Sequence, residues 1–96
     1  MKQVICTGIA VLDHIFYLPE IPKIPIKSFA NNYKTVGGGN AATAAVAISR
    51  AGGRAIFWGS LGDDLNGDII LSELESFGVD IDDVSRLKGF KSGVSS

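Results

Sequence analysis

Two stretches of this chain carry residue types suited to holding a hydroxyl-rich ligand. Asp13 ends an opening apolar run, and Gly37-Gly38-Gly39-Asn40 stands between a strand-like segment and an alanine-rich one. A carboxylate offers several lone pairs to the hydroxyls of a polyol, and ligands of open α/β sheets sit beyond the carboxyl ends of strands. Glycines let a ligand approach the backbone closely and permit positive φ. A helix starting after them presents unpaired N–H groups and a partial positive charge to oxygen atoms. A ligand-free strand-to-helix turn and a turn-capping aspartate explain the same residues equally simply. The glycine run is not G-x-G-x-x-G and no Lys-Ser/Thr follows it, so it meets neither the dinucleotide fingerprint nor the P-loop pattern.

The remaining polar and reactive residues have plainer readings. His14 reads as a structural or surface histidine, and Asp63-Asp64 as capping groups at the start of a helix. Cys6 lies in an apolar run, where a buried, unreactive thiol is expected, and Trp58 is expected in the core.

The elements that would position these groups follow from the apolar pattern. Val4–Val11 reads as a strand covered on both faces, and Ile15–Leu18 as a second strand stopped by Pro19, Pro22 and Pro25. That proline spacing makes an extended connection without ladder donors, either a passive linker or a functional edge. Ser28–Val36 resumes as a half-wet strand. Ala41–Ala51 is a helix by its alanine content, closed by Gly52-Gly53. Arg54–Gly59 is the next strand and Gly67–Phe77 the next helix, with Gly78 ending it. Val79, Ile81 and Val84 lead toward another short strand, and Ser92–Ser96 begins one more. This alternation predicts an α/β fold with a parallel sheet flanked by helices, from which the early strand pair buds.

Composition bounds the function classes. The 96 residues carry nine Lys/Arg against ten Asp/Glu, a net charge of −1, with 46% apolar and 20% charged residues. That argues for a folded, soluble chain and against nucleic acid as a partner. No run is long enough to span a bilayer, and the start lacks the features of a signal peptide. A lone cysteine suits a reducing, cytoplasmic setting. The final strand begins without a closing helix, so the chain reads as part of a larger protein.

Taken together, these residues resemble the PfkB, or ribokinase-like, carbohydrate kinases. The family's N-terminal signature can be followed through Gly38-Gly39, Asn40, Ala41, Ala42, Ala45, Gly52 and Gly62. Gly8 with Asp13, the stretch Gly59–Asp64 before Gly67, and Leu74–Val79 agree with it. One position departs: Thr43 stands where the family has Asn, losing a side chain that both donates and accepts. Asn40 is a candidate to supply the missing amide.

The resemblance implies a ribokinase-like fold, with residues 1–96 as its N-terminal part and a small β-sheet lid within about 14–37. Asp13 would bond substrate hydroxyls, Gly38, Gly39 and Asn40 would line the sugar, and Thr43 would tune specificity. It further implies phosphate transfer from ATP, with Mg²⁺, to a sugar or sugar-like acid, and a homodimer formed through lid strands. The family's general base belongs to a downstream motif with no match here, so no catalytic base is assigned and this segment alone is expected to be inactive. The glycine-turn sequence is most similar to sulfofructose kinases, whose anionic substrates need a cation. Lys27, at the entrance of the second lid strand, is either that cation or a solvated lysine. A nucleoside kinase of the same fold and a non-catalytic module that dimerises through the lid are the alternatives.

Overall fold

A computed structural model describes residues 2–96. The strands are β1 (Gln3–Thr7), β2 (Val11–Tyr17), β3 (Asn32–Gly38), β4 (Arg54–Trp58), β5 (Ser60–Gly62), β6 (Ser85–Leu87) and β7 (Gly93–Ser95). The helices are α1 (Asn40–Arg50) and α2 (Leu65–Ser76). β1 and β4 pair in parallel from Gln3–Arg54 to Thr7–Trp58, and an isolated parallel bridge from Ile56 to Asp80 extends the sheet. β5 and β6 form a second parallel pair. The third sheet has the order β3-β2-β7, with β2–β3 antiparallel and β2–β7 parallel. The expected parallel α/β framework with a budding hairpin is therefore present.

Its boundaries differ from expectation in instructive ways. The apolar run Val4–Val11 is two strands, because the chain crosses from one sheet to another at Gly8–Ala10 and its apolar residues there make no ladder. The second strand consequently begins at Val11 rather than at Ile15. The hairpin closes on the pair Tyr17–Asn32. Pro19 has no N–H to donate, so the ladder does not continue past it, and residues 28–31 are left without a strand partner. Phe29 is accordingly 79% exposed.

The face of β1 and β4 that meets α1 holds most of the core, although Val4 on it is exposed, and on the other face only Ile56 is buried. Cys6, Ala55 and Phe57 join the core, Phe57 with no exposed surface at all. Val4 and Ile5 are exposed, as is Trp58 at 45%, so Trp58 is not the core residue its type suggests. α1 approaches closely because Ala41, Ala42 and Ala45 face inward. Its carboxyl end closes as expected, with the N–H groups of Gly52 and Gly53 bonded to the carbonyls of Ser49 and Ile48. α2 contributes Ile70 and Leu74, which pack with Leu12 of β2 and Leu61 of β5.

The amino end of α2 is a polar hub. Asp64 is its N-cap, accepting from the Gly67 N–H at 2.8 Å, in line with the capping role expected of this pair. The same carboxylate accepts from the N–H and the hydroxyl of buried Ser92, at 2.8 and 2.7 Å. The Gly62 N–H donates in turn to the Ser92 hydroxyl. Arg86 crosses behind, bonding the carbonyls of Gly62 and Asp64 and pairing with Asp68 at 2.8 Å. Asp63 is a looser partner of Arg86, at 3.8 Å.

The Ser92 N–H, then the Ser92 hydroxyl and the Gly67 N–H, hold the Asp64 carboxyl below its ordinary value of 3.8, outweighing partial desolvation. A depressed folded-state pKa gives stability that is present above the unfolded value and lost as pH falls through the folded one. In thermal melts, Asp64→Asn should therefore lower the melting temperature at pH 6, and the gap from the native protein should close as pH falls below about 3.9, the ordinary Asp value. An unchanged gap at pH 2.5 would show that the carboxylate charge contributes nothing to this hub.

Candidate functional site

Antiparallel pairing sorts the hairpin side chains onto two faces. Val11, Asp13, Val36 and Gly38 lie on one, and Leu12, His14, Phe16, Tyr33 and Gly37 on the other. On the first face the half-buried Asp13 carboxylate lies where a side chain at residue 38 would begin, with Oδ2 foremost. A Cβ at residue 38 would overlap it, so any other residue there must push the carboxylate aside. Asp13 Oδ1 accepts a hydrogen bond from the Ser95 hydroxyl on β7. The carboxylate thus spans three strands, bounded by Gly38 and Ser95.

Gly39 has a different constraint. It is the N-cap of α1 at φ 92°, and a Cβ there would come within 2.6 Å of the Ile9 carbonyl oxygen and 2.9 Å of the Ala10 Cα. Glycine is needed both for the left-handed backbone and for the close approach of two chain segments. This contact sets the start of α1 directly against the crossover from β1 to β2. The Asn40 Oδ1 accepts from the Ala41 N–H at 2.8 Å, so that oxygen is already engaged by the helix terminus.

Two concavities border these residues. An open cleft of about 500 Å³ lies at the carboxyl ends of β1 and β4 and includes Gly8, Ile9, Val11, Gly59 and Gly93. Val11 and Gly93 are a register pair two residues before the pair Asp13–Ser95, so this cleft opens at the amino end of the strand that carries the carboxylate, without Asp13 among its walls. A more enclosed cavity of about 270 Å³ lies between α1, α2 and β3, with Gly38, Thr43, Glu73 and Phe77 among its walls. Both oxygens of Glu73 accept from the Gly37 N–H, at 3.0 and 3.1 Å. Gly37 belongs to the face of β3 away from Asp13, whereas Val36 and Gly38 of the Asp13 face also line the smaller cavity. The open cleft is a candidate because it lies at the carboxyl ends of β1 and β4, where ligands of open α/β sheets sit.

The residues singled out from sequence are brought together unequally. Asp13, Gly38 and Gly39 converge on one corner, with Asn40 at the same helix start. Thr43 borders the glycine turn from the helix side, in the cavity with Glu73. Lys27 stands apart, in the loop between β2 and β3 rather than at the start of a strand, with its ammonium 5.8 Å from the Phe29 ring centroid. Asp13 is four residues back from the loop end of the hairpin, a separation of about 13 Å along the strand. His14 is structural, its Nδ1 2.5 Å from the Tyr33 hydroxyl on the opposite face. Ser95 and Glu73 escaped the sequence reading. Nothing local marks Ser95, which is 82 positions from its partner, and Glu73 looks like an ordinary helix-surface residue.

Among the described residues, no group of three or more His, Cys, Asp or Glu is arranged to hold a metal ion. No helix among the described residues is long and apolar enough to cross a membrane.

Comparison with known proteins assigns the arrangement to a family. Residues 1–95 match the pfkB family carbohydrate kinase domain. Ribokinase of Bacillus subtilis is 30% identical over 95 residues, covering 99% of this chain and 32% of its own. A solved protein from Agrobacterium tumefaciens is 38% identical and superposes with a TM-score of 0.89 over 97% of this chain and 30% of its own. Arabidopsis thaliana ribokinase, in complex with ribose and ATP, gives a TM-score of 0.79 at 26% identity, over 96% of this chain and 30% of its own. The chain therefore spans roughly a third of the length of the relatives it matches. With a family match along nearly its whole length and a ribokinase-like fold, this chain belongs to the PfkB carbohydrate kinases.

Proposed function

We propose that this chain is the N-terminal, substrate-gripping part of an ATP-dependent kinase that phosphorylates a hydroxyl of a sugar or sugar-like acid. The observation that carries the reading is the Asp13 carboxylate seated against side-chain-free Gly38 on the β2–β3 hairpin, next to the glycine turn that starts α1. A carboxylate held this way accepts bonds from sugar hydroxyls, while Gly38 and Gly39 leave room for the ring to lie against backbone. Thr43 and Asn40 tune the fit from the helix start. Use of ATP is supported by the ribokinase complex with ribose and ATP.

The work of this segment is to bind and orient. The β2–β3 hairpin acts as the lid, and its closure keeps water from competing with the sugar hydroxyl. Asp13 orients that sugar and is not assigned as the base. The groups that hold ATP and Mg²⁺ and remove the proton belong to other parts of the complete kinase. The isolated segment should accordingly bind weakly and not turn over.

Two finer features belong to the same reading. Phe16 and Tyr33 pack at a tilt on the face away from Asp13, with ring centroids 4.9 Å apart, and both are exposed. An exposed aromatic face on a lid favours pairing with the lid of a second copy. Within the family, the Val36–Thr43 sequence is most similar to sulfofructose kinases. An anionic substrate tail would then meet Lys27 only if the lid loop folds over the cleft.

In the complete kinase, Asp13→Ala should lower kcat/KM for its sugar by roughly 10²-fold, since buried sugar hydroxyls lose their acceptor. Titration calorimetry of the native enzyme should show binding of a free pentose or hexose and none of adenosine. Adenosine binding without sugar binding would move the protein to the nucleoside kinases. The neighbouring glycines should separate position from fold. Gly38→Ala meets only the movable end of the Asp13 side chain, so it should raise KM with little change in melting temperature. Gly39→Ala meets backbone at positive φ and should destabilise the protein, by on the order of 1–3 kcal/mol from backbone strain alone. Unaltered KM in Gly38→Ala would remove the Asp13–Gly38 corner from the binding site.

A further inference from the structure

Ser95 lies on β7, which adds to the hairpin through the parallel pairs Val11–Gly93, Leu12–Val94 and Asp13–Ser95. The pairing places Ser95 beside Asp13 on the face that also carries Gly38. Its hydroxyl donates to Asp13 Oδ1, while Oδ2 is the carboxylate atom nearest Gly38. A serine hydroxyl has one proton to give, and here it is committed to Oδ1. Rotation of the carboxylate about its last torsion, otherwise broad, is thereby restricted, and Oδ2 keeps its lone pairs for a ligand.

The strand that carries Ser95 is itself anchored. Three residues earlier, buried Ser92 is held through both its N–H and its hydroxyl by Asp64, the α2 N-cap. Without that clamp, a three-residue edge strand would be a poor support for a polar contact. With it, the position of the Ser95 hydroxyl is set by the packing of α2 rather than by a free loop.

We propose that Ser95 is a positioning residue for substrate recognition, whose hydroxyl fixes the Asp13 carboxylate so that Oδ2 faces a sugar hydroxyl above Gly38. The inference rests on the reading of Asp13 as a sugar ligand and adds a residue that this reading did not include. Ser95 acts through Asp13, so removing it loosens orientation without removing the acceptor. Its effect should be smaller than that of losing Asp13 and should vanish once Asp13 is gone.

The test uses the complete kinase, with MgATP and the best substrate from a panel of pentoses, hexoses and their carboxylate and sulfonate derivatives. Ser95→Val and Ser95→Thr are nearly isosteric and differ in the hydroxyl, so their comparison is insensitive to packing. Ser95→Val should reduce kcat/KM about tenfold, the effect of one hydrogen bond to a charged group, mainly by raising KM, and Ser95→Thr should stay within about threefold of native. In an Asp13→Ala background, Ser95→Val should have no further effect. If Asp13→Ala is damaging but Ser95→Val equals Ser95→Thr, the role of Ser95 is overturned while the Asp13 reading stands. Full additivity of the two substitutions would overturn it in the same way. If Asp13→Ala is harmless, or no sugar is turned over, the underlying reading falls and the inference falls with it.

Discussion

The arrangement depends on one steric fact: the Asp13 carboxylate occupies the volume that any side chain at residue 38 would need. β2 and β3 are neighbours in an antiparallel ladder, so a charged group on one strand must find room above the other. Glycine provides it, and the carboxylate lies across the strand instead of pointing into water. From that position it is flanked by β7 on one side and the start of α1 on the other. The next glycine brings α1 up to the Ile9 carbonyl, so the glycine turn performs two separate tasks at adjacent positions. Residue 38 makes space for a side chain, and residue 39 makes space for backbone.

The rest of the segment can be understood as support for that corner. α1 reaches the β1–β4 sheet closely because its inward residues are alanines. α2 holds β2 from beneath through Ile70 and Leu74 and holds β3 through the Glu73 bond to Gly37. At its amino end, Asp64 ties down Ser92 and with it β7. Each strand of the β3-β2-β7 sheet is thus fixed by a contact to α2 or to the strand beside it. The loop of residues 18–31 has no comparable contact to α2, in keeping with the lid role proposed for the hairpin.

Much of this was legible in the residues, for identifiable reasons. Alanine content and the glycines around it located α1 to within a residue, and the Asp63-Asp64 pair announced the start of α2. Asp13 and the glycine turn stood out because a carboxylate after an apolar run and three consecutive glycines are rare choices, although Asp13 lies inside β2 and not at the end of a strand. What failed to show was everything decided by distant partners. Trp58 and Phe57 are adjacent and similar in type, yet one is open and the other sealed, because α1 covers only one face of β4. The start of β3 was misplaced since its limit is set by Pro19 across the hairpin, not by Ser28–Asn31 themselves. Ser95 and Glu73 have no local signature, and their roles arise only when β7 and α2 dock. Lys27 lies in the loop between β2 and β3, away from the carboxylate, and not at the entrance of a strand.

The account is tested most directly by a crystal structure of the complete kinase with its sugar bound. A sugar hydroxyl should lie within hydrogen-bonding distance of Asp13 Oδ2, with the ring in van der Waals contact with the backbone of Gly38 and Gly39. A sugar bound elsewhere, with Asp13 contacting only protein or solvent, would contradict it.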